Sequence, residues 1–129
     1  MLVRDGMSTR VLTVGPDHTL RDAARLMSER HVGAAVVVNP DHSGYGILTE
    51  RDILNAVGSG RNPDAERAAD HLTSDLVFAA PDWPLQRAAD AMVRGGFRHL
   101  VVLEEDDVVG MLAMRDIVRV WSAQGAPHV

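Results

Sequence analysis

The sequence predicts a mixed α/β (α+β) fold built from two tandem β-α-β-β-α repeats packed with pseudo-twofold symmetry. Three observations lead to it. The phrase "GILTERDIL" at residues 46–54 returns as "GMLAMRDIV" at residues 110–118. Each copy carries a stretch whose apolar residues recur at helical spacing. Each then continues into a short valine-rich run, as a strand buried on both faces does.

The repetition extends through whole modules. "TVGPDHTLRDAARLM" from Thr13 aligns with "FAAPDWPLQRAADAM" from Phe78, 65 positions later. Pro16, Asp17, Leu20, Ala23, Ala24 and Met27 match Pro81, Asp82, Leu85, Ala88, Ala89 and Met92. One residue then drops out, so Gly46, Leu48, Arg51, Asp52 and Ile53 match Gly110, Leu112, Arg115, Asp116 and Ile117 at a spacing of 64. The lead-in "RDGMST" stands opposite "ADHLTS".

In chain order, a short strand at Thr13 precedes a helix whose stripe is Leu20, Ala23, Ala24 and Met27 (i, i+3, i+4, i+7). Thr19 is placed to cap that helix, with Asp22 as its capping-box partner. In the second copy Pro84 takes the place of Thr19, where a missing N–H costs nothing. "AAVVV" and "YGILT" read as two strands, with "HLVVLEEDD" and "VVGML" as their counterparts. A closing helix begins at "TERDILNAV" and stops at Gly58. The polar residues 59–67 read as a linker, giving a first repeat at 1–58 and a second at 68–129. About 55 residues are below the usual size for burying a sheet and two helices alone, so the copies are expected to pack together as one pseudo-twofold unit.

Composition narrows the function. The chain has 129 residues, 46% of them hydrophobic, and a formal net charge of −5. An acidic balance with only 4% aromatics argues against nucleic acid as a partner. There is no cysteine, hence no disulfide, thiol catalysis or cysteine-held zinc. The N-terminal residues lack a signal-peptide core, and the longest apolar run, "VGAAVVV", is far too short to span a bilayer. The expectation is a cytoplasmic protein that does not engage membranes.

The duplicated pattern resembles that of cystathionine-β-synthase-type (CBS) domains in tandem, the Bateman module. The residues that carry the resemblance are the "TVxPDxTLxxAAxLM" lead-in, the valine strand and the closing "G[IM]L[TA]xRDI", present in both copies. It covers residues 3 to about 122. The resemblance implies a regulatory module that binds an adenosyl compound in a cleft between its repeats.

In "LTERD", Thr49 and Asp52 stand three apart at a helix start. That spacing admits two readings. One is a capping box beside the positive end of the helix dipole. The other is a carboxylate that accepts from both hydroxyls of a ribose diol, with helix amides near a phosphate. One residue can serve both. The resemblance implies the second: Asp52 on the ribose, and Thr49 on the sugar or first phosphate. Arg98 and His99, at the mouth of a buried strand, are surface residues by default, but their first-copy equivalents are Gly33 and Ala34, so the fold does not demand them. Following the resemblance, Arg98, His99 and Arg115 contact phosphate, and Thr13 and Val14 face the adenine edge.

The second candidate site is poorer. Asp116 is kept and Arg51 is its one evident cation, but Ala113 replaces Thr49 and has no hydroxyl. One site for a phosphorylated ligand and one reduced site are expected.

The six histidines show no HxxxH or HxH spacing, so no metal is expected. No GxGxxG, GxSxG or Walker lysine occurs. Trp83 and Trp121 read as peripheral core. The expected function is therefore non-enzymatic: binding of an adenine nucleotide (AMP, ADP or ATP) by a homodimer that signals to a partner protein in trans. The alternative is a ligand-free dimerisation or adaptor protein. A hydrolase would need a nucleophile and base that the motifs do not supply.

Overall fold

The computed structural model describes residues 1–38, 44–73 and 78–124. The chain forms two compact units, Met1–Val11 with Val77–Val129, and Leu12–Leu76.

In the Leu12–Leu76 unit, β1 (Thr13–Val14) leads to helix α2 (Leu20–Arg30), then β2 (Ala34–Val38), β3 (Tyr45–Thr49) and helix α3 (Glu50–Gly58). β2 lies in the middle of the sheet, parallel to β1 and antiparallel to β3. Ala34 to Val37 are all buried, as an uninterrupted apolar strand requires. Leu20, Ala23 and Met27 face Val14, Ala35, Val37 and Leu48 in the core. Thr19 Oγ1 accepts from the Asp22 amide at 3.1 Å and caps α2, while the return bond of the expected capping box, from Thr19 N to the Asp22 carboxylate, is not made among the described residues.

The other unit repeats this plan. A single-turn helix α1 (Val3–Gly6) comes first, and β4 (Phe78–Ala79), helix α4 (Leu85–Gly95), β5 (His99–Glu104), β6 (Asp107–Ala113) and helix α5 (Met114–Ala123) follow. β5 is the central strand, parallel to β4 and antiparallel to β6. The stretch "LEEDD" does not stay extended, as the sequence reading expected. Glu105 and Asp106 adopt φ of 50° and 71°, and Glu104 pairs with Asp107 across them, a two-residue hairpin turn with the twist that adjacent strands favour. Trp83 and Trp121 pack on the edge of this unit's core, with the Arg87 guanidinium 3.8 Å from the Trp83 ring centre.

The compact units divide the chain differently from the repeats. The lead-in of the first copy packs onto the body of the second: Val3, fully buried, joins Leu85, Met92, Leu112 and Val120 in one core. The lead-in of the second copy packs onto the body of the first, where Ala68 of a 3₁₀ turn (Ala68–Asp70) sits with Leu20, Ala23 and Leu48. The backbone bonds match copy for copy. Ser8 and Met111 exchange two hydrogen bonds of 2.9 Å, and Thr73 and Ile47 exchange two of the same length. The first amide of α4, Leu85, donates to Met1 O at 3.0 Å, and that of α2, Leu20, donates to Glu66 O at 2.9 Å.

Residues 59–67, expected as a linker, consequently have fixed partners. Besides Glu66 O, the Pro63 carbonyl accepts from Arg21 N at 3.0 Å. Both bonds satisfy first-turn amides that have no partner inside the helix. Arg21 also bonds Asp64 through its side chain, which raises the Arg21 pKa.

Close approach of the exchanged lead-ins explains two glycines. A Cβ on Gly110 would lie 2.6 Å from Met7 Sδ and 3.0 Å from the Ser8 carbonyl, whereas on Gly46 its three nearest neighbours would all be Leu72 side-chain atoms, the closest at 2.7 Å. Backbone cannot swing aside and a leucine tip can. Gly110→Ala is therefore expected to destabilise by about 1–3 kcal/mol, and Gly46→Ala by less, as read by urea denaturation.

Candidate functional site

In the Leu12–Leu76 unit the sequence-predicted residues converge at one end of the sheet, where β1 and β2 begin and β3 turns into α3. Val36 N donates to Leu12 O at 2.9 Å, Ala34 pairs with Thr49, and Glu50 N donates to Gly33 O at 2.9 Å. Thr13, Val14, Thr49, Arg51 and Asp52 thus gather around the entry to β2. β1 is an edge strand, and alternation turns the Thr13 amide and carbonyl towards the outer edge. The Val14 side chain is buried in the core, and the same alternation turns its amide and carbonyl towards β2, so Val14 has neither a stacking surface nor a free backbone edge to offer.

Thr49 and Asp52 form a full capping box. Thr49 Oγ1 accepts from Asp52 N at 3.2 Å, and Thr49 N donates to Asp52 Oδ2 at 2.9 Å. The Thr49 hydroxyl also reaches Oδ2, at 3.0 Å. Every bond to this carboxylate falls on Oδ2. Among the described residues, Oδ1 of the half-buried Asp52 accepts none. With Glu50 N and Asp52 N committed, Arg51 N is the first-turn amide left without a partner among the described residues. An unengaged carboxylate oxygen and a free amide at a helix start can hold a diol and an anionic group side by side.

The corresponding end of the other sheet collects Arg98, His99, Ala113, Arg115 and Asp116. Met114 N donates to Arg98 O at 2.8 Å, and His99 pairs with Ala113. The exposed Arg98 guanidinium makes no ion pair among the described residues. Asp116 is buried, and both its oxygens are engaged. Oδ2 accepts from Ala113 N at 2.8 Å, and Oδ1 takes Arg119 Nη1 at 2.9 Å. Ala113 has no hydroxyl, so half the capping box is missing.

Arg119 is the residue that sequence reading passed over. Its signal was there, an Asp-x-x-Arg spacing within one helix turn, which places the two side chains on one face. Its first-copy equivalent is Asn55, 64 positions earlier. Arg51 is exposed and lies in the Leu12–Leu76 unit, whereas Asp116, with which it was grouped, lies in the other. Among the described residues no group of three or more His, Cys, Asp or Glu could hold a metal, and no helix is long and apolar enough to cross a membrane.

Two three-stranded sheets, each within a β-α-β-β-α repeat whose closing helix carries an aspartate in its first turn, define a tandem-repeat α/β architecture. The CBS domain family profile matches residues 3–59 and 68–123, and the chain belongs to that family. It is 34% identical over 116 residues to the CBS domain-containing protein YhcV of Bacillus subtilis, covering 89% of this chain and 81% of that one. Among solved structures it is similar to the CBS-domain containing protein ATU1752 from Agrobacterium tumefaciens, with 28% identity and a TM-score of 0.84 over 93% of this chain and 98% of that one. The CBS domain pair of protein MJ0100, solved in complex with 5′-methylthioadenosine and S-adenosyl-L-methionine, shares the fold at 22% identity, with a TM-score of 0.85 over 96% of this chain and 98% of that one.

The two helix starts differ by one hydroxyl, and that difference is measurable. Thr49→Ala is expected to cost about 1 kcal/mol and Ala113→Thr to add up to about 1 kcal/mol, read as changes in thermal midpoint.

Proposed function

We propose that this protein is a regulatory module that binds an adenine nucleotide (AMP, ADP or ATP) and signals to a partner protein in trans. The observation that carries this reading is Asp52: a half-buried carboxylate at a helix start, with one oxygen committed to the cap and the other accepting nothing among the described residues. A ribose 2′,3′-diol supplies the donors such an oxygen lacks. Thr49 holds the carboxylate in place and faces the sugar or first phosphate. The outer edge of β1 at Thr13 offers an amide and a carbonyl to the adenine edge.

The ligands of MJ0100 support the adenosine part of the reading, since both carry that diol. The phosphate part rests on charge. Arg98, exposed and unpaired among the described residues, is a bidentate phosphate donor, and His99 and Arg115 stand beside it in sequence or on the neighbouring helix start. Binding acts by favouring whichever conformation holds the ligand better, with no catalytic step.

Thermal melting against adenosine, 5′-methylthioadenosine, S-adenosylmethionine, AMP, ADP and ATP tests this. A ligand at 100 times its Kd adds about 2.7 kcal/mol, a rise of several degrees. AMP, ADP or ATP is expected to raise the midpoint of the wild type and not of Asp52→Ala, and Arg98→Ala is expected to weaken the phosphorylated ligands selectively. A flat response to all six would leave the ligand-free adaptor as the better reading.

The module is proposed to act as a homodimer. Each closing helix exposes apolar side chains at helical spacing: Leu54 and Val57 on α3 are 63% and 50% exposed, and Val118 on α5 is 56% exposed with Met114 one turn before it. Recurrence of such residues at equivalent positions (54 and 118) suits a self-complementary contact with a second copy. Light scattering should give twice 14.0 kDa for the wild type. Leu54→Glu with Val118→Glu should bring it to the monomer value.

A further inference from the structure

We infer that Arg119 occupies the ligand-binding face of Asp116 and thereby restricts the chain to a single adenosine site, at Asp52. The inference rests on the reading that Asp52 takes a ribose diol. The two aspartates are equivalent in the repeat and hold the same N3 position, each with Oδ2 on the backbone amide of its N-cap residue. They differ in the second oxygen. At Asp52 it accepts nothing among the described residues; at Asp116 it already holds the Arg119 guanidinium at 2.9 Å.

Several features make that occupancy persistent. The Asp116 side chain is only 11% exposed, so its oxygens have little water to fall back on, while the Arg119 side chain, 65% exposed, reaches it from the surface. A charge-assisted N–H···O bond of this length is among the stronger hydrogen bonds a carboxylate makes. Arg119 is tethered at a second point, because Nη2 donates to the Gly6 carbonyl at the end of α1, at 3.3 Å. A diol arriving at Asp116 would have to displace an intramolecular donor that loses no translational freedom by staying. It would also free the α1 carbonyl. Asn55 stands at the equivalent place in the first copy, too short to imitate the fork and without a hydrogen bond to Asp52 among the described residues. Ala113 removes a helpful hydroxyl from the second site; Arg119 fills the site outright.

The experiment is isothermal titration of the full chain with AMP and with 5′-methylthioadenosine. The proteins are the wild type, Asp52→Ala, Asp52→Ala/Arg119→Asn and that double variant with Asp116→Ala added. One ligand per chain is expected for the wild type, with at least a tenfold loss of affinity in Asp52→Ala. At least a tenfold recovery is expected when Arg119→Asn is added, lost again with Asp116→Ala. If Asp52→Ala/Arg119→Asn melts as a folded protein and recovers nothing, the masking role is overturned while the Asp52 reading stands. Two equivalents bound by the wild type would also overturn masking. If neither probe binds the wild type, the Asp52 reading itself fails and this inference fails with it. Arg119→Gln, which keeps an amide donor for Gly6 O and removes the cation facing Asp116, replaces the asparagine variant should that one not fold.

Discussion

The exchange of lead-in segments is the constraint on which the rest of the structure depends. Each sheet is flanked on its β3 or β6 side by residues from the opposite repeat, Thr73 beside Ile47 and Ser8 beside Met111. Each first helix has its leading amide satisfied by a carbonyl from that same borrowed segment. Neither repeat, taken alone, supplies its own Val3 or Ala68 equivalent to the core it builds. A module of about 55 residues buries too little apolar surface to be stable by itself, and reciprocal exchange makes folding of one repeat conditional on the other. Gly46 and Gly110 are where this is felt in the sequence, since a side chain at either would occupy the space the borrowed segment needs.

The same architecture puts a carboxylate at the start of each closing helix and then treats the two differently. At α3 the capping box is complete and leaves one oxygen of Asp52 open among the described residues. At α5 the hydroxyl is absent, and the bonds to Asp116 are spread over both oxygens, Ala113 N on Oδ2 and Arg119 on Oδ1. The first arrangement leaves a carboxylate oxygen with unmet hydrogen-bonding capacity among the described residues. The second spends that capacity on the fold. Divergence at one helix turn between the two copies is enough to bond equivalent carboxylates differently.

Much of this was legible in the amino-acid order. The spacing of Leu20, Ala23 and Met27, the all-apolar run at Ala34 to Val37 and the Thr49/Asp52 pair are patterns within a few residues, and the structure realises each. The hairpin at Glu105 and Asp106 was not, because four consecutive acids carry no glycine or asparagine to mark a left-handed turn; strand pairing on both sides imposes it. Val14 could be placed on the strand beside the site, but its burial depends on α2 packing over it from another part of the chain.

The sequence by itself determined the repeat, the order of helices and strands and the position of both aspartates, because those follow from periodicity and caps that act over one turn or one strand. Only the tertiary structure decided which body each lead-in completes and which aspartate retains an open oxygen. Those outcomes hang on contacts between residues far apart in the chain, such as Met1 with Leu85 or Arg119 with Gly6, and no local pattern specifies them.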